Sequence, residues 1–344
     1  MRIAQVAPLY ESVPPKYYGG TERVVSYLTE ELHRQGHEVT LFASGDSVTA
    51  ARLVAICHHS LRLDKHCVDP LAHHILMLER VFQNAKEFDV IHFHVDYLHF
   101  PLARRHSLVH LTTLHGRLDI PDLQPLYREF PEMPVVSISD AQREPLPWVN
   151  WQATVYHGLP QDLYRFRPEP GTYLAFLGRI SPEKRVDRAI EIAKQIGMPL
   201  RIAAKVDRVD QEYFQTVVEP LLRDPLVEYV GEIGEGEKDE FLGNAYALLF
   251  PIDWPEPFGL VMIEAMACGT PIIAYRRGSV AEVMEEGRTG FIVSTLEEAI
   301  EAARHIPQLS RARCREVFEQ RFTSRHMAAG YLRVYEQLIA NKVP

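Results

Sequence analysis

The run Glu256-Pro257-Phe258-Gly259-Leu260-Val261-Met262-Ile263-Glu264-Ala265-Met266-Ala267-Cys268-Gly269-Thr270-Pro271 begins as a loop and continues as a helix. Just upstream, Ala247-Leu248-Leu249-Phe250-Pro251 is a short apolar run that reads as a buried strand, followed by the Asp253-Trp254-Pro255 bend. Gly259 opens a helix of good formers, Gly269 ends it, and Pro271 lies beyond. Two carboxylates therefore flank one helix N-terminus, Glu256 on the loop and Glu264 about one turn inside. The amides of Phe258, Gly259 and Leu260 suit a phosphate, because the first N–H groups of a helix lack internal partners and face the positive end of its dipole. Ionised carboxylates make strong acceptors for the hydroxyls of a sugar. Acids are also favoured at any helix N-terminus on electrostatic grounds alone.

Working outward, strands and helices alternate on both sides of this element. Residues 3–8 predict a strand, Gly19-Gly20-Thr21-Glu22-Arg23 a helix start, and residues 37–43 a second strand. Strand, glycine-rich turn, helix, strand is how a doubly wound domain begins, and Gly19 and Gly20 form a plausible phosphate turn. Residues 53–88 read as helical, with strands expected at 89–94, 108–114 and 134–139. Residues 164–171 read as a linker. A second alternating unit follows. Its first strand is expected at 173–177, a loop holds Gly178, Arg179 and Lys184, and a helix covers 186–196. Restarted alternation after a Pro-rich joint implies an α/β chain of two parallel-sheet domains facing a cleft.

The totals agree with an ordinary globular protein: 344 residues suggest about two domains, with 46% hydrophobic and 24% charged residues. A formal charge of −9 argues against nucleic acid or an anionic membrane as the main partner. Cys57, Cys67, Cys268 and Cys314 follow no paired spacing, as expected of reduced thiols in a cytoplasmic protein. The N-terminus is too poor in apolar residues for a signal peptide, and no stretch reaches membrane-spanning length.

The spacing of Glu256 and Glu264, with Pro-Phe-Gly between and Ala-Met-Ala-Cys-Gly-Thr-Pro after, resembles the EX7E signature of the retaining glycosyltransferases of family 4, which have the GT-B fold. Gly178-Arg179 with Lys184 is similar to that family's G-R-x(4)-K element, Thr113-Leu114-His115-Gly116 to its histidine motif, and Gly19-Gly20 to its first glycine-rich loop. Ser139 and His157-Gly158 resemble its cleft-edge positions.

The resemblance implies two Rossmann-like domains: residues 1–165 on the acceptor side, 166–323 on the donor side, and a last helix at 324–344 packing back on the first. It implies transfer of a hexose from a nucleotide diphosphate sugar to an acceptor hydroxyl by front-face displacement, without metal or cofactor. His115, Arg179, Lys184 and Glu256 would be catalytic. Gly19, Gly20, Gly178, Arg179, Lys184, Glu256, Phe258, Gly259, Leu260 and Glu264 would bind the nucleotide sugar. The sequence departs from the family at Ala204-Lys205, where a glycine is common.

Three other readings stand beside this one. A nucleotide-sugar epimerase would share the phosphate apparatus, and a non-catalytic binder of sugar nucleotides would use the same residues without turnover. A metal-dependent hydrolase would rest on His92, His94 and Asp96, which alternation places on one strand face.

Overall fold

The computed structural model describes residues 1–342 and divides the chain into two compact units, Met1–Gly158 with Ser324 onward, and Leu159–Thr323. Unit 1 carries strands β1 (Arg2–Val6), β2 (Glu38–Ala43), β3 (Arg52–Ala55), β4 (Val90–Phe93), β5 (His110–Thr113), β6 (Val135–Ser137) and β7 (Trp151–Thr154). They form one parallel sheet in the order β3-β2-β1-β4-β5-β6-β7. Unit 2 carries β8 (Tyr173–Ile180), β9 (Leu200–Val206), β10 (Val227–Gly231), β11 (Ala245–Phe250), β12 (Ile272–Tyr275) and β13 (Gly290–Val293). These are again all parallel, in the order β10-β9-β8-β11-β12-β13.

Parallel strands need crossover helices, and helices on both faces bury the sheet twice, so the central strands are apolar runs rather than alternating ones. Ala247, Leu248, Leu249 and Phe250 of β11 are all buried, as are Ile272, Ile273, Ala274 and Tyr275 of β12. The core of unit 2 joins β8, β9, β11 and β12 to the helices Val186–Ile196 and Leu296–His305. Unit 1 has separate apolar clusters, one around Met77, Leu78, Val81 and Phe93, and another around Phe100, Tyr127 and Leu146.

Three expectations need correction. Residues 53–88 are not one helix: Arg52–Ala55 pairs with β2 as an edge strand, and the helix spans Pro70–Gln83. Asp69 caps that helix by accepting from the Leu71 and Ala72 amides, with Pro70 at the first position. β8 does not stop at residue 177, because β9 runs on to Val206 and pairs with Gly178, Arg179 and Ile180. The division between units falls at Gly158/Leu159, ahead of the prolines at 160, 168 and 170. Residues 159–163 belong to unit 2, tied in part by the Leu159 amide donating to the Phe322 carbonyl at 2.9 Å.

The helix Ser324–Lys342 belongs to unit 1 and packs beside the helix Gly20–Arg34. Residues 343–344 of the expected terminal segment lie outside the described residues. Among the described residues, no helix is long and apolar enough to cross a membrane.

Candidate active site

In an open parallel sheet, strand order reverses where two adjacent strands send their connections to opposite faces. The carboxyl ends of those strands then border a crevice suited to a ligand. In unit 2 that point lies between β8 and β11, so the residues that follow these two strands border that crevice.

β8 runs through Ser181 into a single 3-10 turn, Pro182–Lys184. Arg185 then takes a left-handed conformation (φ 54°) and launches the helix Val186–Ile196. A side chain other than glycine is uncommon there; the Arg185 guanidinium is held by Asp187 at 2.9 Å. β11 runs into the Pro-rich bend. The two connections are tied together by the Asp253 amide, which donates to the Glu183 carbonyl at 2.8 Å. The result is a cluster. The Lys184 ammonium donates to Glu256 Oε2 in a close ion pair, and Trp254 Nε1 donates to the same oxygen at 3.1 Å. The ammonium lies 4.8 Å from the centroid of a Trp254 ring, a cation–π contact. The side chains of Lys184 and Glu256 are 17% and 11% exposed, so the pair is shielded yet reachable.

Arg179 sits on β8 itself, opposite Lys205 of β9. Glu183 accepts from its guanidinium at 2.5 Å, and Asp207 and Asp210 lie at 3.6 and 3.8 Å. Arg179 is thus ringed by three carboxylates. Lys205, at the position where a glycine was expected, pairs with Asp207 at 2.6 Å.

The helix Leu260–Cys268 starts immediately after Gly259, whose φ of 77° is left-handed. A Cβ there would also stand 2.8 Å from Met262 Cε and 3.1 Å from the Phe250 ring. Gly269 ends the helix in the same left-handed conformation, as predicted from its position. Phe258 is buried, and its carbonyl accepts from Ser279 Oγ at 2.9 Å, which fixes the loop feeding the helix. Glu264 is buried in that helix and accepts from Lys238 Nζ at 2.8 Å. Structure thus gathers Gly178, Arg179, Lys184, Glu256, Phe258, Gly259, Leu260 and Glu264 into unit 2. It adds Lys238 and Trp254, which sequence reasoning missed. The Glu235–Lys238 spacing on the helix Glu235–Gly243 was the available signal for Lys238.

In unit 1 the strand order reverses between β1 and β4. Gly19 (φ 151°) precedes the helix Gly20–Arg34, and a Cβ on it would meet Pro15 Cβ at 2.8 Å. Glu22, in the first turn, is buried, and burial lifts its carboxyl to about 7. His94, just past β4, and His115, just past β5, join through His94 Nδ1 and His115 Nε2 at 2.9 Å. His157 stacks on His115, with ring centroids 5.3 Å apart at 19°. Burial pulls the His115 imidazole down to about 3 and holds His92, His94 and His157 well below the usual range. All four are neutral at physiological pH.

The rings of His92 and His94 do share a face, 4.0 Å apart, but they do not converge on an ion. His92 is bonded to the Tyr335 and Thr113 hydroxyls at 2.7 Å each, and His94 to Gln5 and His115. Asp96 is exposed in a left-handed turn (φ 50°). The metal reading thus loses two of its three ligands to internal hydrogen bonds.

Two open parallel sheets, each with polar groups where its strand order reverses, define the GT-B class. Residues 18–153 match the family model for Glycosyltransferase Family 4, and residues 165–321 match that for Glycosyl transferases group 1. The chain belongs to this family of glycosyltransferases. It is 28% identical over 218 residues to a D-inositol 3-phosphate glycosyltransferase of Rhodococcus erythropolis, covering 52% of this chain and 47% of that one. Among solved structures, a sucrose-phosphate synthase of Thermosynechococcus elongatus superposes with a TM-score of 0.80 at 19% identity, covering 99% of this chain and all of that one. Anabaena HepE, in complex with UDP and glucose, superposes with a TM-score of 0.75 at 17% identity, covering 98% of this chain and all of that one. At these identities the structures attest the fold. The matches span about half or less of the length of the first curated relatives.

Proposed function

We propose that the chain is a retaining hexosyltransferase that moves a sugar from a nucleotide diphosphate donor to an acceptor hydroxyl. The observation that carries this reading is the shielded Lys184–Glu256–Trp254 cluster beside the N-terminus of the helix Leu260–Cys268. It offers a cation and helix amides to an anion, and a carboxylate to hydroxyls, within one unit. A nucleotide diphosphate sugar carries both kinds of group.

On this reading the donor diphosphate takes Lys184 away from Glu256 and lies against the amides of Gly259 and Leu260. Charge that builds on the departing diphosphate is met by Lys184, by Arg179 and by the helix dipole, all fixed before the reaction begins. Glu256, released from Lys184, accepts from the sugar hydroxyls, and Glu264 from those of the ribose, with Lys238 holding the Glu264 carboxylate in place. Unit 1 contributes His115, and Gly19 and Gly20 allow close backbone approach. The acceptor hydroxyl attacks from the side the diphosphate leaves, passing its proton to that diphosphate, so configuration is retained. No cofactor or metal enters this scheme. A cytoplasmic setting fits it, with Cys57, Cys67, Cys268 and Cys314 all as free thiols.

The test is a thermal-shift screen of UDP-, GDP- and ADP-sugars followed by donor-consumption assays with the stabilising donor. A ligand at a hundred times its Kd should add about 2.7 kcal/mol to folding stability. NMR of the anomeric proton in the product then reads the stereochemistry. An inverted product, or indifference to every sugar nucleotide, rejects the reading. Change of sugar configuration without an acceptor would select the epimerase, and binding without turnover the non-catalytic binder.

A further inference from the structure

Unit 1 contains a buried chain of hydrogen bonds with no role in binding the donor diphosphate. It begins on the helix Ser324–Lys342, where Tyr331 and Tyr335 are fully buried. Gln5 on β1 lies beside His92 on β4 in the sheet register. Gln5 Nε2 donates to the Tyr335 hydroxyl at 3.1 Å, and Gln5 Oε1 faces His94 Nε2 at 2.8 Å. His94 Nδ1 meets His115 Nε2 at 2.9 Å. On the other branch, the Tyr335 hydroxyl meets His92 Nδ1 at 2.7 Å, His92 Nε2 meets Thr113 Oγ1 at 2.7 Å, and Thr113 Oγ1 donates to the Tyr331 hydroxyl at 2.9 Å.

The protons along this chain can be placed one by one. A carbonyl oxygen only accepts, so His94 must carry its proton on Nε2, facing Gln5 Oε1. A neutral imidazole has one N–H, so His94 Nδ1 is bare and accepts from His115 Nε2. His115 therefore carries its proton on Nε2, and its Nδ1 is a bare acceptor. That Nδ1 is buried and has no hydrogen-bond partner among the described residues. The Tyr335 hydroxyl, receiving from Gln5, donates to His92 Nδ1, and His92 Nε2 donates to Thr113. Every step is consistent. Turning the Gln5 amide over reverses each bond and moves the His115 proton to Nδ1.

We propose that Gln5 is a positioning residue for glycosyl transfer: anchored by Tyr335, its amide sets the tautomer of His115 through His94 and leaves the Nδ1 lone pair of His115 free for a sugar hydroxyl. The proposal rests on the hexosyltransferase reading. A sugar hydroxyl that donates needs the bare nitrogen; the opposite tautomer would set an N–H there and reverse the bond, making the hydroxyl oxygen the acceptor. The relay also gives His92, His94 and the tyrosines of the last helix a shared purpose.

The experiment uses the full chain labelled with 15N-histidine, with the His115 signals identified by their loss in His115→Asn. In the wild type the expected signature is a bare Nδ1 and a protonated Nε2 at His115. Gln5→Leu should mix or reverse that tautomer and lower kcat about ten- to a hundredfold, as loss of an outer-shell orienting partner does elsewhere. The donor KM should stay within about twofold, since the change leaves the diphosphate site untouched. Tyr335→Phe, which removes one oxygen from a buried ring, should shift kcat in the same direction with the fold intact. A wild-type His115 protonated on Nδ1 overturns the proposal, as does a Gln5→Leu protein with kcat within twofold of wild type. A wild type with the expected tautomer but no glycosyl transfer from any donor overturns the hexosyltransferase reading instead, and this role with it.

Discussion

Acidification should unfold unit 1 before unit 2. Only His305 of the sixteen histidines lies in unit 2. Five in unit 1, His92, His94, His99, His115 and His157, are held neutral by burial, far below their ordinary value of 6.5. Their unfolded forms gain protons as pH falls through 6.5 while the folded forms do not. The unfolded state therefore binds more protons, and stability falls with pH. Each histidine contributes about 1.4 kcal/mol per pH unit below that point. Five together contribute roughly 6–7 kcal/mol per unit, against a total domain stability of about 5–15 kcal/mol. Glu22 works in the opposite sense. Its folded form, raised to about 7, keeps a proton that the unfolded form loses above 4.5, so it returns about 1.4 kcal/mol per unit as pH falls through that window. The net expectation is collapse of unit 1 between about pH 6 and pH 5.

Urea unfolding in a Trp254→Phe background, where Trp148 and Trp151 of unit 1 supply the fluorescence, reads this directly. His99→Phe serves as the internal control. His99 stacks on Phe93 at 3.7 Å, and its Nε2 bonds Thr112 Oγ1 at 2.9 Å. Whatever that change does to absolute stability, it should flatten the pH slope by about 1.4 kcal/mol per unit. A wild-type slope under about 2 kcal/mol per unit between pH 6 and 5 would refute the reasoning.

Other expectations are more local. Lys184→Ala should lower kcat by about 10²–10³, the cost of deleting a preorganised electrostatic partner, with the fold intact by circular dichroism. Gly259→Ala should cost about 1–2 kcal/mol of stability from left-handed strain alone, measured by urea unfolding, and more where Met262 and Phe250 resist the new methyl. Glu264→Gln should weaken nucleotide diphosphate binding about tenfold in calorimetry, since a neutral amide accepts more weakly than the carboxylate and leaves Lys238 with Glu235 alone, at 3.6 Å. Tyr331→Phe should cost unit 1 about 1 kcal/mol in urea unfolding, the net worth of its bond from Thr113.

Much of this was readable from local pattern. Restarted strand–helix alternation gave two parallel sheets, and the glycines at 259 and 269 bracketed the helix that carries Glu264. β3 was not readable because a four-residue, half-buried edge strand leaves little periodicity, and the helical pattern of residues 70–83 spread over it. The extension of β8 through Arg179 depends on the length of β9, a neighbour rather than a local property. The chemistry of His92 and His94 lay further still from view, because their partners include Tyr335, more than 240 residues along the chain. Their alternation imitated a metal site. Nothing near them in sequence announced tyrosines from the far end. The pairing of Lys184 with Glu256 likewise joins positions 72 residues apart.

On the hexosyltransferase reading, that last pairing makes the donor site its own placeholder. With Lys184 closed on Glu256, the pair itself shows no net charge to passing anions, and a ligand that opens it must replace what it disrupts. Inorganic phosphate, or a nucleotide diphosphate without a sugar, can satisfy the lysine but strands a shielded carboxylate. A sugar nucleotide satisfies both. On the same reading, once the sugar has gone the carboxylate would be stranded again and would reclaim the lysine, so that departure of the spent nucleotide would be built into the same two side chains that admit the donor.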